Sequence, residues 1–307
     1  MLPIRLVYSD GYDLNLGTHV FPSRKYRFIR NQLIDEGLAQ PEDIEEPGPA
    51  SDEDVLLVHE QSWVNCLRHG TLSYHDILKL EIPYSRKMVE AFWLIAGGSI
   101  LAARNALRDG IGFSIGGGFH HAFAGHGEGF CAINDIAIAI RKLQHDRLIR
   151  KALVIDTDVH QGNGTAAIFA ADENVFTISL HQLNNYPTEK PPSNIDVNLR
   201  DGVGDEEYLD ALQEAYVPSV LQFRPDLILN VAGADPFMED QLGGLLLTKE
   251  GLMRRDRVVF ETARKLGIPV ATVLAGGYSF QVRDTVDIHS NTAKVAVEIA
   301  RIYPPKQ

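Results

Sequence analysis

Residues 152–164 read Ala-Leu-Val-Ile-Asp-Thr-Asp-Val-His-Gln-Gly-Asn-Gly, and they constrain the fold more than any other stretch. Four apolar residues in a row, bounded by charge and glycine, predict a strand buried on both faces. Such strands belong to parallel sheets covered by helices on either side. Asp156, Asp158 and His160 alternate along the chain, so a continued extended backbone projects all three to one side. In open α/β sheets, ligands bind beyond the carboxyl ends of the strands. A carboxylate and an imidazole two residues apart, aimed at that crevice, make half of a metal site. The competing reading is an N-cap aspartate followed by a surface histidine.

The same rhythm recurs along the chain. Apolar runs at 4–8, 55–58, 112–115, 175–180, 227–231 and 270–274 predict further strands. Segments 23–38, 84–108, 132–144, 164–170, 206–223, 248–266 and 286–302 predict helices. Phe28, Ile29 and Leu33 form the apolar stripe of the first, and a short helix carrying Trp63 and Leu67 opens at His59. Alternating strand and helix predicts an α/β fold: a central parallel sheet of about eight strands with helices on both faces. No linker, repeat or low-complexity tract divides the 307 residues, so 1–307 is read as a single domain. The acidic, proline-bearing stretch 40–54 is read as a surface loop.

Composition excludes some functions. A net charge of −12 argues against a nucleic-acid or anionic-membrane surface, because phosphate binding needs clustered Lys and Arg. The two cysteines, Cys66 and Cys131, form no disulfide framework and suit a reducing compartment. No signal peptide and no apolar run long enough to span a bilayer is read, so the expected setting is cytoplasmic.

The residues that carry chemistry come just after strands. Asp235 ends Val-Ala-Gly-Ala-Asp after the run 227–231; with Asp158 and His160 it supplies three ligands, the number typical of a catalytic metal site with one position open. Its alternative is a loop-capping carboxylate. His120 and His121 come after three glycines and suit general acid–base work near neutral pH; the alternative is one core and one surface histidine. Tyr278, in Gly-Gly-Tyr, presents a hydroxyl to a developing oxyanion, or simply packs. Cys131 has no adjacent Lys or Arg to favour a thiolate.

Gly117-Gly118-Phe119-His120-His121-Ala122, Gly129-Phe130-Cys131, Asp156-Thr157-Asp158-Val159-His160-Gln161-Gly162-Asn163-Gly164, Gly233-Ala234-Asp235 and Gly276-Gly277-Tyr278 together resemble the histone deacetylase superfamily. Val20-Phe21-Pro22-Ser23-Arg24-Lys25 and the compact length resemble its short class IV and bacterial members. The resemblance implies an arginase/deacetylase fold over a single catalytic domain, 1–307. It also implies zinc-dependent removal of acetyl or longer acyl groups from N-acyl lysine side chains. By position, Asp158, His160 and Asp235 would bind zinc, with iron able to fill the same set. His121 would be the general base with His120 assisting, Asp156 would sit charged beside His120, and Tyr278 would stabilise the oxyanion. Gly129, Phe130 and Tyr186 would line a narrow tunnel. A potassium ion would lie near Asp156, Ser179 and Leu180 and the backbone of Asp158 and His160. Asn163 stands where many members carry an aspartate; it can orient His121 but adds no charge, so His121 is expected to be mostly neutral at pH 7.

The expected partner is an acylated lysine peptide or protein, or a small acylated amine such as an acetylpolyamine, with the oligomeric state left open. Loops 71–84 and 181–204 are expected to frame the rim, and Asn184-Asn185-Tyr186 hints at room for a longer acyl chain. Two-metal ureohydrolysis would want further acids after His160, and Gln161, Gly162 and Asn163 supply none. A metal-free binding module on the same scaffold would be expected to lack a ligand or Tyr278, and neither is lost.

Overall fold

A computed structural model describes residues 1–305. In chain order the elements are β1 (Leu6–Val7), α1 (Lys25–Asp35), β2 (Ile44–Glu45), α2 (Asp52–Val55), α3 (Gln61–His69), α4 (Tyr74–Leu80), α5 (Arg86–Asp109) and β3 (Ile111–Ser114). Next come α6 (Asp135–His145), β4 (Ala152–Asp156), α7 (Asn163–Phe169), β5 (Val175–Gln182), β6 (Ile195–Leu199) and α8 (Asp205–Phe223). The chain closes with β7 (Leu227–Ala232), α9 (Lys249–Lys265), β8 (Val270–Leu274) and α10 (Val282–Ile302).

Among the described residues, eight strands form one sheet in the order β2-β1-β3-β8-β7-β4-β5-β6, and every pair is parallel. The central strands β3, β8, β7 and β4 are buried at every position, which is why they read as apolar runs rather than as alternation. Helix α5 packs on β3 and β8 and against α6, while α10 packs against α9 and α1, and α9 against α8; these two groups cover the sheet's two faces. Side-chain caps set several helix starts: Ser85 for α5, Asn134 for α6 and Thr248 for α9 each accept a hydrogen bond from a first-turn amide.

The α/β architecture and the parallel eight-stranded sheet agree with the sequence reading, but several local expectations need correction. Residues 55–58 are no strand. Ser51 and Asp54 form a capping box that starts α2, and turns come after it. The edge strand is Ile44–Glu45, inside the stretch read as a loop; two residues paired to β1 leave no periodicity to detect. The segment 181–204 contains β6, whose Ile-Asp-Val-Asn-Leu alternation is that of a half-exposed edge strand. The segment 71–84 contains α4, opened by the Ser73–Asp76 capping box. In α1 the buried residues are Lys25, Tyr26, Ile29 and Leu33, whereas Phe28 is exposed. The helix expected from His59 begins at Gln61, and His59 itself is buried.

Candidate active site

Strands β3, β8, β7 and β4 are neighbours, so the loops leaving their carboxyl ends meet over the middle of the sheet. From β4 come Asp156, Asp158 and His160, from β7 Asp235, from β8 Tyr278, and from β3 His120 and His121. All are buried. One ligand atom from each of Asp158, His160 and Asp235 lies within 4.8 Å of the others. Asp158 is oriented by the amides of His160 at 3.0 Å and Gly276 at 2.8 Å. Asp235 Oδ1 accepts from the Val159 amide at 2.9 Å, whereas its Oδ2 has no hydrogen-bond partner among the described residues. Only glycine fits at 276: a Cβ there would stand 1.9 Å from Asp235 Oδ2 and 2.6 Å from Asp158 Oδ2. The wholly buried Arg255 donates to the Gly233 carbonyl at 2.5 Å and pairs with Asp256 at 2.7 Å, securing the turn that presents Asp235.

The electrostatics of this trio call for a cation. Burial first, then the Asp158 carboxylate, push the Asp235 carboxyl up to about 7. Burial opposes charge on His160, but a hydrogen bond with Asp158 and attraction from Asp235 and Asp158 outweigh it and raise His160 to about 10. Two carboxylates and an imidazole, converging with an orphaned oxygen, fit a divalent metal ion with an open position.

The two histidine rings pack at a tilt of 50°, with centroids 4.0 Å apart. The glycine loop before it is tied down by buried Asp135, which accepts from the Gly118 and Phe119 amides at 3.1 and 2.8 Å. His120 Nδ1 donates to Asp156 at 2.6 Å. Burial works against a charge on His120, but Asp156 and Asp158 overcome it and raise the group to about 9. His121 faces Asn163 Oδ1 at 2.7 Å, and the Asn163 amide nitrogen donates to Glu128 at 2.6 Å. Because that nitrogen is committed to a carboxylate, the oxygen must face His121, so His121 carries its proton on Nδ1 and leaves Nε2 basic. Burial, then repulsion from His120 and His160, hold His121 well below the usual histidine range. This agrees with the expected neutral imidazole.

A cavity of about 180 Å³ leads to this floor, lined by His121, Gly129, Phe130, His160, Tyr186 and Tyr278. Asn185, noted in the run Asn184-Asn185-Tyr186, lines it as well, as do Glu81 and Leu242, which were not singled out from sequence. Gly129 and Phe130 both have positive φ, 52° and 69°, an uncommon state for an aromatic residue. Their amides donate to the Lys79 and Leu80 carbonyls at the end of α4, at 3.1 and 3.0 Å, which holds the strained turn against the cavity. Tyr278 is fixed by its amide donating to Asp240 at 2.6 Å, and burial raises its phenol well above the usual value, so it stays a donor. Ser179 lies directly beside Asp156 in the β4–β5 register, with Leu180 next, and both are buried. Burial pushes the Cys131 thiol well up, which disfavours thiolate chemistry.

Lys25 is the least expected residue of the site. It is fully buried, donates to the Ala275 carbonyl at 2.5 Å and lies 6.0 Å from the Tyr278 ring centroid. Its signal in the sequence was a lysine spaced four residues from Ile29 and eight from Leu33, a charge on the apolar stripe. Burial lowers it to about 8, against about 10 in an unfolded chain, so its charge weakens the fold fully below pH 8 and ceases to do so above about pH 10. The Tm of Lys25→Met relative to the native chain is therefore expected to be most favourable at about pH 7 and to fall through pH 8–10. The substitution also frees the Ala275 carbonyl beside Gly276-Gly277-Tyr278, and displacement of that turn should lower kcat roughly 10- to 100-fold. Thermal melts across pH and steady-state rates check both; unchanged kcat would remove Lys25 from the site.

Residues 19–293 match the family profile described as "Histone deacetylase domain". Histone deacetylase 2 of Arabidopsis thaliana is 32% identical over 288 residues, covering 90% of this chain and 74% of that one. A probable deacetylase of Methanothermobacter thermautotrophicus is 35% identical, with 89% and 85% covered. An uncharacterized protein of Picosynechococcus is 39% identical, with 92% and 94% covered. The crystal structure of the HDA15 HD domain superposes with a TM-score of 0.82 at 25% identity, over 95% of this chain and 90% of that one.

Proposed function

The chain belongs to the histone deacetylase family, and from that premise we propose that it is a zinc-dependent amidohydrolase removing acetyl or longer acyl groups from N-acyl lysine side chains. Deacetylases among its relatives support deacetylase activity in general. The observation that carries the finer reading is the buried Asp158–His160–Asp235 cluster at the floor of a narrow cavity, beside a histidine whose Nε2 is left basic.

In this reading Asp158, His160 and Asp235 hold the metal ion, which when bound polarises the amide carbonyl and acidifies water. The acyl-bearing chain enters between Phe130 and Tyr186, over Gly129. His121 Nε2 takes a proton from the attacking water and returns it to the leaving amine, so water is added across the C–N bond. His120, kept cationic by Asp156, assists with positive charge, and Asn163 keeps His121 in its tautomer. The Tyr278 hydroxyl donates to the carbonyl oxygen as it gains charge. A potassium ion near Asp156, Ser179, Leu180 and the backbone of Asp158 and His160 belongs to the same reading, supported by the adjacent ends of β4 and β5. So do one catalytic domain over 1–307 and a cytoplasmic setting, the latter on the strength of two free cysteines. Among the described residues, no helix is long and apolar enough to cross a membrane.

Glu81 in the cavity lining favours a second reading, in which the leaving amine belongs to a polyamine whose further ammonium meets that carboxylate. Purified protein of measured metal content should be assayed on acyl-lysine peptides of graded acyl length and on acetylated polyamines. About one metal ion per chain with turnover of the peptides is expected. Turnover of polyamines alone would select the second reading. Absence of bound metal, even after zinc or iron is supplied, would overturn both.

A further inference from the structure

Glu128 has no part in the chemistry described above, yet two chains of hydrogen bonds end on one of its oxygens. Oε1 accepts from Asn163 Nδ2 at 2.6 Å and from the Tyr186 hydroxyl at 3.0 Å, while Oε2 lies 3.2 Å from His126 Nε2. Asn163 in turn faces His121, and the Tyr186 ring meets the His121 ring edge-on, with centroids 4.9 Å apart. The four residues close a ring: His121 to Asn163, to Glu128, to Tyr186, and back to His121. Glu128 also opens the Gly129-Phe130 turn, its carbonyl accepting from the Cys131 amide at 2.9 Å. Beyond it lies an outer cleft of about 710 Å³, lined in part by His75, Lys79, His126 and Pro187. Glu128 therefore stands between that cleft and the substrate cavity.

An asparagine amide can present either end to a neighbouring imidazole. With Nδ2 facing His121, the imidazole would have to offer an unprotonated Nδ1 and move its proton to Nε2, and the base would be lost. A carboxylate, which only accepts, prevents that flip when it sits on the far side of the amide. Hydrogen bonds from His126, Asn163 and Tyr186 together outweigh the burial of Glu128 and keep it below the ordinary carboxylate value, so the acceptor is ionised.

We propose that Glu128 is a positioning residue for the reaction: it locks the Asn163 amide and thereby the tautomer of His121, and with the same oxygen it fixes Tyr186 as the cavity wall. The inference rests on His121 acting as the base. In this chain the pairing of Asn163 with Glu128 does the orienting work of a carboxylate placed directly on the imidazole, and it ties that work to the shape of the tunnel.

The test uses the zinc-loaded full chain and an acetyl-lysine peptide. Glu128→Ala should lower kcat roughly 10- to 100-fold, the range for groups that orient a catalytic residue from behind, with metal content retained. Glu128→Gln can present either end of its amide to Asn163, so it should recover only part of the rate. In an Asn163→Ala background, Glu128→Ala should cost no further kcat. In a Tyr186→Phe background, it should raise KM no further. Losses that simply add in both backgrounds, or a Glu128→Gln as fast as the native chain, would overturn the proposal. Should Glu128→Ala not fold, Glu128→Asp shortens the carboxylate by one methylene and serves in the same backgrounds. Nitrogen NMR of the His121 ring gives a readout independent of turnover: Nδ1–H in the native chain and a mixed tautomer in the Glu128→Ala or Glu128→Asp variant are expected, and an unchanged ring would overturn the proposal. If His121→Ala leaves turnover intact, the role of His121 as base fails, while the ring spectrum still decides the role of Glu128.

Discussion

Asp235→Asn is expected to empty the metal site and lower kcat/KM by about 10³-fold, the equivalent of about 4 kcal/mol of transition-state stabilisation supplied by a bound cation. The amide keeps the oxygen that accepts from the Val159 amide at 2.9 Å, so the local backbone has no reason to move. The metal-free protein should respond in the opposite sense. Asp235 is wholly buried, and its carboxyl is pushed up to about 7 by burial and by Asp158. An unfolded aspartate titrates near 4, so ionising Asp235 penalises the folded state from about pH 4 upward, and the penalty is complete above about pH 7. Metal-free Asp235→Asn should therefore melt higher than the metal-free native chain at pH 8, and no higher at pH 4. The gain is bounded at about 4 kcal/mol by the size of the shift. Metal analysis, steady-state kinetics and melts in chelator at the two pH values check both halves. Retained metal with activity within tenfold of native would sink the ligand assignment.

His121→Ala should separate chemistry from metal binding. Loss of a general base lowers kcat by about 10²- to 10⁴-fold. The metal stays, because Asp158, His160 and Asp235 are untouched. Since His121 is held neutral, burial being the first cause, its removal leaves no uncompensated charge. The cost to stability is that of leaving Asn163 Oδ1 unpaired, about 1–3 kcal/mol. His120→Ala would behave differently. It strips Asp156 of its partner at 2.6 Å in a buried site, and breaking such a pair costs about 3–5 kcal/mol. If His121→Ala keeps kcat within fivefold of native while His120→Ala abolishes it, the roles of the two histidines are reversed.

The central strands and the strand-end residues were legible because they obey one rule. A parallel strand buried on both faces must be an uninterrupted apolar run, and the residues just past its carboxyl end must face the crevice. Val154-Ile155-Asp156 and Val231-Ala232 show it directly. Edges obey no such rule. Ile44–Glu45 is too short to carry a period, and Val55-Leu56-Leu57-Val58 is apolar for another reason: Val55 is buried at the end of a one-turn helix. Lys25 and Glu128 escaped for a shared reason. A charged side chain in sequence reads as surface, and only tertiary packing shows that one is enclosed by aromatic rings and the other by an amide and a phenol.

The sheet order also bears on how the molecule comes into being. Strand β8 is the last to be synthesised, yet it lies between β3 and β7, in the interior of the sheet. Until residues 270–274 leave the ribosome, β3 on one side and β7 on the other present unpaired backbone edges, and the two halves of the sheet have nothing to join them. Pairings this distant in sequence close slowly, and an open apolar edge invites association with other chains in the interval. A released chain truncated before residue 270 should therefore be far more prone to aggregate than one that extends through α10.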